Sequence, residues 1–185
     1  MSYIKLKEYE GQFRKVQIER VEPFGDYING FVQSVGKEVV VIQQFHDFYC
    51  EGYGVIRNKD ISNIRSGEYE RFFEKMIKGE GIIDCLKAPL IPKVDTIRDL
   101  LVFFMEKKEY VIVECERDRD EESTFSCGLI SEIEGDTIWI KEFDALGNWC
   151  EEELGVELSE ITQMQFQTPY LSIFSKYIPS ISDQE

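Results

Sequence analysis

The sequence predicts a mostly β protein with flanking α-helices, an α+β chain of two tandem five-stranded barrel units, each followed by an amphipathic helix. Three observations predict it. A stretch near the N-terminus aligns without a gap on one about 100 residues later, both stretches read as strand, tight turn, strand, and both units end in a helix with the same apolar spacing.

The aligned stretches are Gly30-Phe31-Val32-Gln33-Ser34-Val35-Gly36-Lys37-Glu38-Val39-Val40-Val41-Ile42 and Gly128-Leu129-Ile130-Ser131-Glu132-Ile133-Glu134-Gly135-Asp136-Thr137-Ile138-Trp139-Ile140. Each opens on Gly and places apolar residues at the same offsets. The turns Gly36-Lys37-Glu38 and Glu134-Gly135-Asp136 separate β-branched runs, which predicts two hairpins of one design. One Phe follows each at an equal distance, Phe45 and Phe143. A polar loop comes next, longer by two residues in the second unit, and the register returns at Lys59–Ile64 against Ser159–Met164.

The first closing helix carries Tyr69, Phe72, Phe73, Met76 and Ile77 on one face, with Ser66 as cap and Gly79 as stop. The second carries Tyr170, Ile173, Phe174, Tyr177 and Ile178, opened by Thr168-Pro169 and closed by Pro179. Before the second unit, Thr96 caps a helix with Ile97, Leu100, Leu101 and Phe104 on one face, followed by a strand over Glu109–Glu116. A strand is also expected around Lys15–Val21, whereas Ile4, Leu6, Tyr9 and Phe13 in the segment Ser2–Gln12 fit neither period. The resulting units are 1–78 and 96–179, joined by a linker over 79–95 that is broken by Gly79, Gly81, Pro89 and Pro92, with 180–185 as a tail.

A helix followed by five short strands, with Gly in the second strand and an apolar third strand after a tight turn, resembles the Sm-like fold among the SH3-like barrels. Gly30–Ile42 and Gly128–Ile140 are similar to the first Sm motif, and Ile64-Arg65-Ser66-Gly67 resembles the Ile-Arg-Gly of the second, where the second unit has Met164-Gln165-Phe166. The family's RNA contact uses an Asp and an Asn at the turn between strands two and three. The matching positions here are Lys37-Glu38-Val39 and Asp136-Thr137-Ile138, with no Asn in either. The resemblance implies the fold, and RNA binding stands as an alternative through Arg14, Lys15, Arg20, Arg57, Lys59 and Arg65 of the near-neutral first unit.

Charge separates the halves of this 185-residue chain. Residues 1–92 carry 13 Lys/Arg against 14 Asp/Glu, and residues 93–185 carry 8 against 22, so most of the net −15 lies in the second half. Nucleic-acid binders show a basic face, which the second half lacks; its expected partners are basic proteins, or none. No apolar run reaches the ~20 residues of a membrane span and the N-terminus lacks a signal-peptide core, so a cytoplasmic location is expected, with no membrane partner. Five widely spaced cysteines without CxxC predict reduced thiols in or near the core.

No catalytic pattern emerges, and neither a metal nor a cofactor is called for. The lone His46, with Cys50 four residues on, lacks the further ligands or orienting group that a metal site or a thiol catalyst needs. The run Asp118-Arg119-Asp120-Glu121-Glu122 lacks the Gly turn and distal Glu of a calcium loop and reads as a solvated hairpin loop. Gly52-Tyr53-Gly54 marks a strand entry rather than a phosphate cradle. Trp149 reads either as a partner anchor at a loop tip or as a cover for the barrel mouth. The expected function is a non-catalytic interaction or scaffold module acting through loops and edges. His46, Phe48, Tyr49 and Tyr53 in one variable loop, and Trp149, Glu151, Glu152 and Glu153 in the other, are the candidate partner-binding residues. RNA binding and an acidic inhibitor or immunity-type role are the alternatives. Intramolecular pairing of the barrels about a pseudo-twofold, one covering an edge of the other, or a homodimer, would complete the architecture.

Overall fold

In the computed structural model, residues 2–24, 27–87, 89, 91–117 and 122–179 are described. The first half comprises helix α1 (Ser2–Tyr9), strands β1 (Lys15–Arg20), β2 (Tyr27–Val35), β3 (Val39–His46), β4 (Tyr49–Arg57) and β5 (Ile61–Arg65), and helix α2 (Glu68–Gly79). The second comprises α3 (Ile97–Lys107), β6 (Tyr110–Cys115), β7 (Thr124–Glu134), β8 (Thr137–Glu142), β9 (Leu154–Glu157), β10 (Gln163–Phe166) and α4 (Pro169–Phe174).

The strands form one antiparallel sheet in the order β5-β1-β2-β3-β4-β10-β6-β7-β8-β9, so each half contributes five neighbouring strands in the same internal order. The two hairpins match in detail. Both carry a register shift at the same place, between Val32 and Ser34 and between Ile130 and Glu132. Gly30 and Gly128 sit where the facing strand comes closest: a Cβ on either would lie 2.1 Å from a backbone oxygen, that of Gln43 or Lys141. Only a residue without a side chain fits there.

Two closed barrels do not form. β4 and β5 of the first half leave each other unpaired, and β4 instead takes β10 of the second half through Tyr53↔Phe166, Gly54↔Gln165, Val55↔Met164 and Ile56↔Gln163. The reason lies in β3 and β4. Val39 through Phe45 are buried without interruption, so both faces of β3 are covered. Val40, Ile42 and Ile56 turn into the core of the first half with Leu6, Val16, Ile18 and Val32. Val39, Val41, Tyr53 and Val55 turn the other way, into the core built from α3, β6, β8 and β10. Closing each unit on itself would leave that second face in water. The partner halves therefore do cover each other's edges, but unlike strands meet, so the joint runs head to tail and not about a twofold.

The expected caps are in place at α3, where Thr96 Oγ1 accepts from Asp99 N–H (3.2 Å) and Asp99 accepts from Thr96 N–H (3.0 Å), and at α4, where Thr168 Oγ1 accepts from Leu171 N–H (3.1 Å), although α4 ends at Phe174, well before the expected stop at Pro179. Ser66 is not the cap of α2: its hydroxyl donates to Lys15 O, and Gly67 takes the N-cap position. Ser2–Tyr9 is helical despite its weak period, with Leu6 fully buried.

The apolar stripes of α2 and α4 are wider than the sheet surface that they cover. Ile77 is buried and Phe73 packs beside it on Phe31 and Phe45, while Tyr69 and Phe72 stay exposed. On α4 and the turn that follows its end at Phe174, Leu171 and Ile178 are buried and Phe174 packs with them, while Tyr170, Ile173 and Tyr177 stay exposed.

Candidate functional site: the inter-half seam and the open edge

Two places stand out: the seam where β4 meets β10, and the outer edge of β9, which occupies in the second half the position that β4 occupies in the first.

The seam is locked by two arginines, Arg20 and Arg57, both among the cations of the alternative RNA-binding expectation. Arg57, buried at the end of β4, donates through Nε to Ile161 O at 3.0 Å, through a second nitrogen to Leu158 O, and through the third to Glu38. It therefore satisfies two buried carbonyls on the turn leading into β10. Arg20, at the end of β1, is also buried; it pairs with Glu116 and donates to Gln163 Oε1 at 3.1 Å, and its guanidinium lies 4.7 Å from the Phe24 ring centroid. Lys15 is buried too, donating to Asn29 at 2.9 Å, and burial lowers its pKa. Arg14 and Lys59 are exposed, and Arg65 is exposed but paired with Glu70. The six cations thus form no common surface.

Beside Arg20 the seam opens into a cleft of about 240 Å³ lined by residues of both halves, among them Gln44, His46, Glu51, Glu114, Glu116 and Gln165. Gln165 donates to Glu114 at 2.8 Å. Burial raises the Glu114 pKa, with Glu116 adding to the effect. Arg20 Nε is buried and has no partner among the described residues. Among those residues, no three His, Cys, Asp or Glu side chains converge on a metal-sized site.

The first variable loop places His46, Phe48 and Tyr49 at the surface, with the Phe48 ring stacked 5.2 Å from Phe73. Tyr53, expected among them, is buried at the seam and donates to Lys87 O at 2.6 Å. In the second loop, Trp149 is buried between Tyr110 and Phe143 and donates to Pro179 O at 2.8 Å, so it covers the core. The Asp144 carboxylate holds this loop, accepting from the Asn148 and Leu146 amides; those hydrogen bonds, Asn148's first, lower its pKa. Of the acidic run 118–122, residues 118–121 lie outside the described residues. All five thiols are free, with Cys115 and Cys127 buried.

Glu151, Glu152, Glu153 and Glu157 are all exposed, and they flank or belong to β9. Facing-residue pairs set β9 against β4 position by position: Arg57 pairs with Val39, Glu157 with Thr137, and Val39 and Thr137 begin the matching strands. Where β4 carries the seam-locking Arg57, β9 carries an exposed acid. β4 has β10 on its outer edge, whereas the outer edge of β9 has no strand among the described residues.

Sequence reading missed the seam residues Arg20, Glu116, Gln163 and Arg57 as a set. The signal available was the run Val39–Ile42, which is apolar at every position and so needs cover on both faces. Comparison with known protein families, curated proteins and solved structures finds no match.

Proposed function

We propose that this protein is a non-catalytic interaction module, a tandem of two Sm-like five-stranded units, that takes an extended basic segment of another protein onto the outer edge of β9. The observation that carries this reading is the β4–β10 seam: the same edge, one half earlier, takes a four-residue antiparallel strand. Strand addition uses main-chain hydrogen bonds for affinity and side chains for selectivity. At β9 the side chains at hand are Glu151, Glu152, Glu153 and Glu157, in a half with net charge −14, which favours Lys and Arg on the incoming strand. A basic protein inhibited by such capture would be one form of this partner. RNA binding draws no support from the cations, since Lys15, Arg20 and Arg57 are consumed inside the fold.

The test is calorimetric titration with a ten-residue peptide alternating Lys with Val or Thr, and with a Glu-for-Lys control, at two salt concentrations. Binding of the Lys peptide alone, weakened at least tenfold by E153K/E157K and by high salt, is expected. Absence of binding, equal binding of both peptides, binding unchanged in the double variant, or displacement by single-stranded RNA would overturn the reading.

A further inference from the structure

A different part of the molecule brings two cysteines to one cavity. Cys50 lies at the start of β4, and Cys85 ends the single 3₁₀ turn Ile82–Cys85 that follows α2. One side chain bridges them: Gln43 Nε2 donates to Cys50 Sγ at 3.2 Å and to Cys85 O at 2.8 Å. Both cysteines pack on the Phe31–Phe45–Ile77 cluster, and both line one cavity of about 250 Å³ with Tyr53, Lys87 and Gln167. The remaining three thiols have no such arrangement. Cys115 and Cys127 are buried in separate cores, and Cys150 is not in that cluster.

We propose that Cys50 and Cys85 are a reversible disulfide site, closed by a hydroperoxide, that pins the linker after α2 to the seam strand β4. The chemistry balances with the peroxide as the only oxidant. The Cys50 thiolate attacks one peroxide oxygen, the O–O bond breaks and, with one proton taken up, water leaves, giving the sulfenic acid. The Cys85 sulfur then attacks the Cys50 sulfur, the S–O bond breaks, and the leaving hydroxide takes a proton as a second water. In sum, two thiols and hydrogen peroxide give one disulfide and two waters. Burial, with the Cys50 sulfur beside it, pushes the Cys85 thiol up to about 11, so Cys85 stays protonated at neutral pH and leaves the first attack on peroxide to Cys50. The bond would fix Cys85 three residues from Tyr53, the first seam residue of β4, whose hydroxyl already holds Lys87 O.

The full-length protein is treated with hydrogen peroxide, its free thiols are counted under denaturing conditions, and its peptides are mapped. The count should fall from five to three, with a Cys50–Cys85 cross-linked peptide that dithiothreitol reverses, and tryptic cleavage after Lys87 should slow at least tenfold. In Cys85→Ser, peroxide should instead leave Cys50 as a sulfenic acid trapped by dimedone, at least tenfold above wild type. Retention of five thiols, a cross-link through Cys150, unchanged cleavage after Lys87, or equal dimedone labelling in both proteins would overturn the proposal.

Discussion

Single residues carry two of the strongest demands of this fold. Gly30 and Gly128 admit the facing strand at a distance no Cβ tolerates, so Gly30→Ala or Gly128→Ala should each cost about 2–4 kcal/mol by chemical denaturation. Gly79 is the control: a Cβ there meets nothing within 4 Å, and Gly79→Ala should be neutral or stabilise by up to about 1 kcal/mol. Arg57 acts through its fork. Arg57→Ala strands the buried carbonyls of Leu158 and Ile161 and should cost about 2–4 kcal/mol, with Arg57→Lys intermediate because an ammonium spans fewer of these acceptors. Equal stability of the Lys variant and wild type would show that charge alone matters there.

At the scale of elements, α2 depends on its first turn. Burial disfavours the Glu70 carboxylate, yet the Gly67 N–H at 2.6 Å and the Arg65 guanidinium at 2.8 Å outweigh it and hold the carboxyl below its ordinary 4.5. An acid whose folded pKa is lowered contributes stability above its unfolded pKa and loses that contribution as pH falls through the folded value. Glu70→Gln should therefore cost about 1–2 kcal/mol near pH 7, and thermal melts should show the gap to wild type closing below pH 4.5. A gap that is constant from pH 7 to pH 3 would contradict this. Elements were also the scale at which the sequence could be read best. The paired hairpins and the caps Thr96 and Thr168 follow from local rules of turn and helix ends. The joint does not, because β4 and β10 meet through main-chain groups that every residue carries, and the only side-chain hint was the unbroken apolar run of β3. The same limit applies to the candidate sites: the exposure of Glu151–Glu153 could be read from sequence, but Trp149, Tyr53, Arg20 and Arg57 are drawn inside by partners about 20 to 140 residues away.

The whole molecule is held by a core that belongs to neither half. Val39, Val41, Tyr53 and Val55 of the first half and Met164, Phe166, Ile138 and Leu101 of the second share one cluster. Unfolding should be a single transition, and Val55→Ala or Met164→Ala should lower it as a whole by about 1–4 kcal/mol without splitting it. The shared seam is occupied, its counterpart edge at β9 has no strand among the described residues, and residue-resolved amide hydrogen exchange measures both at once. The paired amides of β4 and β10 should exchange only through global unfolding, and those on the outer edge of β9 at least a thousandfold faster. Exchange at β4 and β10 as fast as at the edge of β9 would contradict the fused sheet on which the reading rests.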